Sequence, residues 1–193
     1  LASDKKWEVR LAVAENPKSS VEVLQKLAKD KTIKGIREKV IDHPNCTAEL
    51  AKRIFEQLAG HEDRYIRRTV AEHPNCPAEV LEKLAGDSEC VVLESVVNNP
   101  NCPVELLSRW AADDDRTFRP KVASNPSCPA DLLEMLAKDD EKYVRRSVAG
   151  NPSCPVELLE MLAEDEDESV RRGVGRNPNC PVELLEKLAA DTS

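Results

Sequence analysis

The chain has 193 residues, of which 40% are hydrophobic, 33% charged and only 3% aromatic, with a formal net charge of −8. That charge argues against nucleic acid as the main partner, because phosphate binding needs a surplus of Lys and Arg, though a local basic stripe is still allowed. No run reaches the roughly 18 to 20 apolar residues that a membrane-spanning helix requires, and no basic, then apolar, then small-residue leader opens the chain.

Taken from its start, the chain opens within a repeat. Leu1-Ala2-Ser3-Asp4 matches the Leu-Ala-x-Asp that closes later units, as at Leu188 to Asp191. The expectation is a piece of a longer parent, with a further unit before it and an apolar end that invites end-to-end self-association. The Asn/His-Pro pairs that follow have their prolines at Pro17, Pro44, Pro74, Pro100, Pro126, Pro152 and Pro178, the last five spaced by 26 residues. A fixed period of this length marks a solenoid, in which each unit buries its apolar face only against its neighbours. The whole chain, 1–193, is read as one repeat domain of about seven units.

Each unit reads as two helices. The first opens at Cys-Pro-x-Glu-Leu-Leu, as in Cys180 to Leu185. Proline suits the first helical position, which makes the Cys the N-cap and Glu183 the acidic third residue of a capping box. Ser19, with Glu22 after it, gives the same register in the first unit. Val182, Leu184, Leu185, Leu188 and Ala189 follow at helical spacing. Asp30, Asp87, Asp113, Asp139, Asp165 and Asp191 then stand where an N-cap for the second helix is wanted. That helix carries two valines four apart, Val170 and Val174, and ends before the next proline.

Two irregular units test the pattern. Between Pro44 and Pro74 there are four extra residues, about one helical turn, and they fall within Leu50 to Ala59. Between Pro17 and Pro44 one extra residue is placed near Gly35. Pro120 stands inside a second helix and should make it start or bend there.

The pattern Val-Arg-x-x-Val-Ala-x-Asn-Pro-x-Cys-Pro-x-Glu-Leu-Leu-x-x-Leu-Ala-x-Asp resembles the leucine-rich repeat variant (LRV) family over nearly the whole chain. The resemblance implies an all-α, right-handed helical solenoid, described in that family as alternating α- and 3₁₀-helices. Here both stretches are long enough to be α, since 3₁₀ runs beyond a few residues are uncommon. A HEAT- or armadillo-like solenoid is the alternative. The family's founding example carries an amino-terminal iron–sulfur cluster. No Cys precedes Cys46 in this chain, so the cluster is not carried over and no cofactor is expected.

Six of the seven cysteines, Cys46, Cys76, Cys102, Cys128, Cys154 and Cys180, share one repeat position. Stacked helices lie roughly 8 to 10 Å apart, too far for a disulfide or a shared zinc ion. A row of small buried or capping residues in a reducing compartment, the cytoplasm, is expected. Cys90 alone is off the row. His43 and His73 replace Asn before proline, and His61 completes a trio in the early units; a corner role is preferred over metal ligation. No convergent catalytic group or glycine-rich phosphate loop stands out, so no enzyme activity is expected.

Charge is the informative surface feature. Arg10, Arg37, Arg67, Arg119, Arg145 and Arg171 form a regular row, broken by Leu93, with Asp-rich corners opposite. This row is expected to pair with the Asp of its own or the next unit. The second arginines, Arg68, Arg146 and Arg172, are candidates to bind an acidic partner segment. Met135 and Met161 share another position and form a candidate adaptable apolar spot. The functional reading is a protein–protein interaction scaffold. The alternatives are a nucleic-acid-binding HEAT-like module and a regulatory appendage of an iron–sulfur or other metal-bearing protein.

Overall fold

The structure, a computed structural model, describes residues 1–30, 35–113 and 116–190. The helices are α1 (Trp7–Glu15), α2 (Val21–Leu27), α3 (Ile36–Ile41), α4 (Ala48–Leu58), α5 (Arg64–Glu72), α6 (Ala78–Leu84), α7 (Cys90–Asn98), α8 (Val104–Ala111), α9 (Arg119–Ser124), α10 (Ala130–Leu136), α11 (Lys142–Gly150), α12 (Val156–Leu162), α13 (Glu168–Gly175) and α14 (Val182–Ala190). A 3₁₀ turn, Arg116–Phe118, precedes α9, and no strand occurs among the described residues. Both helices of a unit are therefore α, and the α/3₁₀ alternation expected from the resemblance does not hold here. Asp114, Asp115 and Asp191, assigned to corners from the sequence, lie outside the described residues.

The chain forms two compact units, Leu1–Val70 and Ala71–Ser193. In the first, α3 packs on α1, α2 and α4. In the second, α7, α9, α11 and α13 pack each on the next, and α8, α10, α12 and α14 lie against them as a second layer. This is the layering of a helical solenoid. The valines four apart make the inner stripe of the second helices: Val92 and Val96, Val144 and Val148, and Val170 and Val174 are buried. Leu107, Leu133 and Leu159 meet them from the first helices and are fully buried. Each such side chain contributes about 1.5–3 kcal/mol by leaving water.

The four-residue insertion falls where the sequence places it, while residues 31–34, beside the one-residue insertion, lie outside the described residues. α4 has 11 residues where α6 has 7, and its buried residues Leu50, Ile54, Phe55 and Leu58 keep one face, so the insertion is one turn of helix. Gly35, with φ of 71°, provides the left-handed residue that opens α3; that conformation costs glycine little. Pro120 stands in the first turn of α9, which begins one residue before it.

The first-helix register is one residue later than expected. Pro77, Pro103, Pro129 and Pro155 are the N-cap residues themselves, with extended ψ between 138° and 155°. The Cys therefore lies outside the helix. Ser20, not Ser19, is the N-cap of α2, while the Ser19 hydroxyl donates to the Val13 carbonyl. Thr47, which replaces the proline, caps α4 with its side chain, accepting from the Leu50 N–H at 3.2 Å. Valine immediately after the proline sits in an outward first turn, so Val104, Val156 and Val182 are exposed and do not belong to the apolar face.

Candidate functional site: the outward face of the second helices

The repeated polar residues are largely consumed inside the stack. Second helices end just before a proline, which leaves their last carbonyls without intrahelical donors. The next unit supplies them. The Asn151 amide donates to the carbonyls of Ala123 at 2.7 Å and Asn125 at 2.8 Å, while its Oδ1 accepts from the Ser153 N–H at 2.7 Å. Asn99, Asn125 and Asn177 repeat the arrangement, and all four are buried. Ser127, Ser153, Asn101 and Asn179 add a bond to the proline carbonyl of the preceding unit. These one-unit-back bonds set the register of the stack.

The histidines follow the same logic. His43 is buried, its Nε2 lying 2.8 Å from the Asn16 carbonyl and its Nδ1 accepting from the Asn45 N–H. His73 and His61 likewise accept at Nδ1 from the N–H two residues on. Imidazole can donate and accept at once, so it substitutes for the corner Asn or Asp. Among the described residues no group of three or more His, Cys, Asp or Glu could hold a metal.

The regular arginines lock the other corner. Arg145 Nη1 donates to the Asp139 and Asp140 carbonyls of its own unit, and its Nε and Nη2 fork onto Asp165 of the next at 2.7 and 3.0 Å. Arg119 reaches Asp139 at 2.7 Å, Arg10 pairs with Asp30, and Arg67 and Arg171 make the same carbonyl bonds. The Arg145 fork holds the Asp165 carboxyl below the usual range. These aspartates do not cap the second helices. Asp87, Asp139 and Asp165 accept from the N–H two residues on, in a turn, and the N-caps are Glu89, Glu141 and Asp167.

The cysteine row is equally inward. Cys76, Cys102, Cys128 and Cys154 are buried, and every cysteine is free. Burial pushes the thiols of Cys76, Cys102 and Cys128 up to about 12, and Cys154 to about 11. Cys90 is exposed.

The residues left at the surface separate by layer. Arg146 on α11 and Arg172 on α13 are exposed on neighbouring helices, while Arg68 is exposed on α5 in the first unit. Met135 on α10 and Met161 on α12 are 48% and 40% exposed, but in the first-helix layer, so the structure does not join them to the arginines. α9, α11 and α13 carry Lys121, Lys142, Arg146 and Arg172 towards solvent against Glu168, and their flanks add Arg116 and Arg176 together with Asp140, Glu141 and Asp167. Arg116 pairs with Asp140, Lys142 with Asp167 and Lys121 with Glu94. Arg172 makes an exposed contact to Glu168 at 3.6 Å. A groove of about 430 Å³ opens beside Arg146, lined by Pro120, Ser124, Tyr143, Ser147 and Gly150. The sequence showed the exposed arginines. It did not show the groove, which opens beside Arg146 where Ser124, Ser147 and Gly150 are small.

Three stretches, 64–89, 144–167 and 169–193, match the family model described as leucine rich repeat variant. A solved structure described as "a leucine-rich repeat variant with a novel repetitive protein structural motif" is similar to this chain at 29% identity and a TM-score of 0.56, covering 98% of this chain and 78% of that one. No curated protein matches.

Proposed function

Starting from a chain that carries leucine-rich repeat variant units, we propose that it is a non-catalytic scaffold that binds another protein through the outward face of its second helices. One observation carries this reading. Arg10, Arg119, Arg145 and the corner asparagines are committed to holding units together, whereas the position after the arginine row varies. Along the row that position reads Leu11, Glu38, Arg68, Glu94 (after Leu93), Pro120, Arg146 and Arg172. Buried positions set the stack, and such variable outward positions are where a repeat protein places specificity. The basic excess on α9, α11 and α13 favours an acidic partner.

The same excess favours nucleic acid as a second reading, against the chain's net charge of −8. Salt-dependent retention of an oligonucleotide would support that reading. The deciding experiment compares the wild-type chain with the Arg68→Glu, Arg146→Glu, Arg172→Glu triple variant in cross-linking capture from native cells. Loss of the captured proteins with unchanged helical circular dichroism is expected; unaltered capture overturns the proposal.

A further inference from the structure

We propose that α9, α11 and α13 form a track for an extended acidic peptide whose carboxylates recur at every third residue. The inference rests on the scaffold reading above and specifies its ligand. α9 packs on α11 and α11 on α13, so Arg146 and Arg172 stand at the same position of successive helices, and Lys121 follows Pro120, which holds that position on α9. Packed helix axes are about 8–10 Å apart, and an extended chain advances about 3.3 Å per residue. Three residues of peptide therefore advance about as far as one repeat.

The charges at these three points are available. Arg146 makes no ion pair among the described residues, and the contacts of Lys121 and Arg172, both at 3.6 Å, are to exposed glutamates. Exposed pairs of this kind are worth little and exchange readily. The floor between them is open. A side chain at Gly150 would meet nothing within 4 Å, while at Gly173 a Cβ would come within 3.0 Å of Ala149 Cβ. Gly173 thus lets α13 sit close to α11 and keeps the repeat spacing short at the point where the two arginines must act together. Ser147 and Tyr143 beside Arg146 offer hydroxyl donors to the same carboxylate.

The test is fluorescence anisotropy with two rhodamine-labelled peptides of one composition, Asp-Ser-Ser-Asp-Ser-Ser-Asp and Ser-Ser-Asp-Asp-Asp-Ser-Ser, at low ionic strength. The spaced peptide is expected to bind roughly tenfold more tightly, since two or three exposed pairs form in register instead of one. Arg146→Glu should abolish that preference, and Arg146→Gln should reduce it, each with unchanged circular dichroism. Equal binding of both peptides, lost together in the Arg146→Glu, Arg172→Glu variant, overturns the register while leaving the basic-face reading standing. Binding of neither peptide, or tighter binding of oligothymidylate than of either, overturns both.

Discussion

Changing Asn151 to Asp removes two donors while conserving size and shape. Asn151 is 1% exposed, and its amide is bonded to the Ala123 and Asn125 carbonyls. Aspartate keeps the acceptor for the Ser153 N–H but turns a carboxylate oxygen onto those two carbonyls. The Asn125 carbonyl keeps the Cys128 N–H, so the Ala123 carbonyl is the acceptor left unpaired, which costs about 1–3 kcal/mol, and burying the charge adds to this. The expected loss is about 3–5 kcal/mol, a large share of the roughly 5–15 kcal/mol that holds a domain together. Asn151→Ala should lose about 1–3 kcal/mol for the Ala123 carbonyl without the charge. Asn151→His should lose only about 1 kcal/mol, because His43 already fills the equivalent corner with one donor and one acceptor. Urea unfolding followed by helical circular dichroism measures the order directly. An Asp variant within about 1 kcal/mol of wild type, or a His variant less stable than the Asp one, would refute the inter-unit bond as the source of register.

The Asp165 carboxyl, held low by the Arg145 fork, binds its proton more weakly folded than unfolded. Its contribution is therefore present above the unfolded value of about 4 and is lost as pH falls through the folded value. Asp165→Asn should flatten the acid limb of a stability-against-pH profile; an unchanged limb counts against the fork. Alkylation at mildly basic pH should modify exposed Cys90 first and the buried Cys76, Cys102, Cys128 and Cys154 last, since their thiols stay protonated. Peptide mapping that finds any of those four modified before Cys90 would contradict the packing.

Much of this fold was legible because repetition averages out local ambiguity. The helix pair, the extra turn in α4 and the start of α9 next to Pro120 all follow from apolar spacing and proline chemistry. The pairing of regular arginines with the next unit's aspartate was legible too, from the matched rows. What was missed depends on atoms in another unit. Asn before proline reads locally as a turn residue, and nothing in its own neighbourhood shows that its amide serves carbonyls 26 and 28 residues back. A signal existed: the two residue types found at that position, Asn and His, can both donate and accept. The one-residue shift at Cys-Pro has a local cause, since a proline with extended ψ can stand before the first helical residue as well as at it. The three candidate arginines and the two candidate methionines all lie at the surface, yet only three-dimensional layering shows that the methionines stand on first helices and the arginines on second helices.

The most direct test of where this protein makes its contacts is backbone amide chemical-shift mapping as an acidic peptide is added. Perturbations centred on Lys121, Arg146 and Arg172, with the Asn99, Asn125 and Asn151 amides unmoved, are the expected result. Perturbations centred on Met135 and Met161 instead would contradict it.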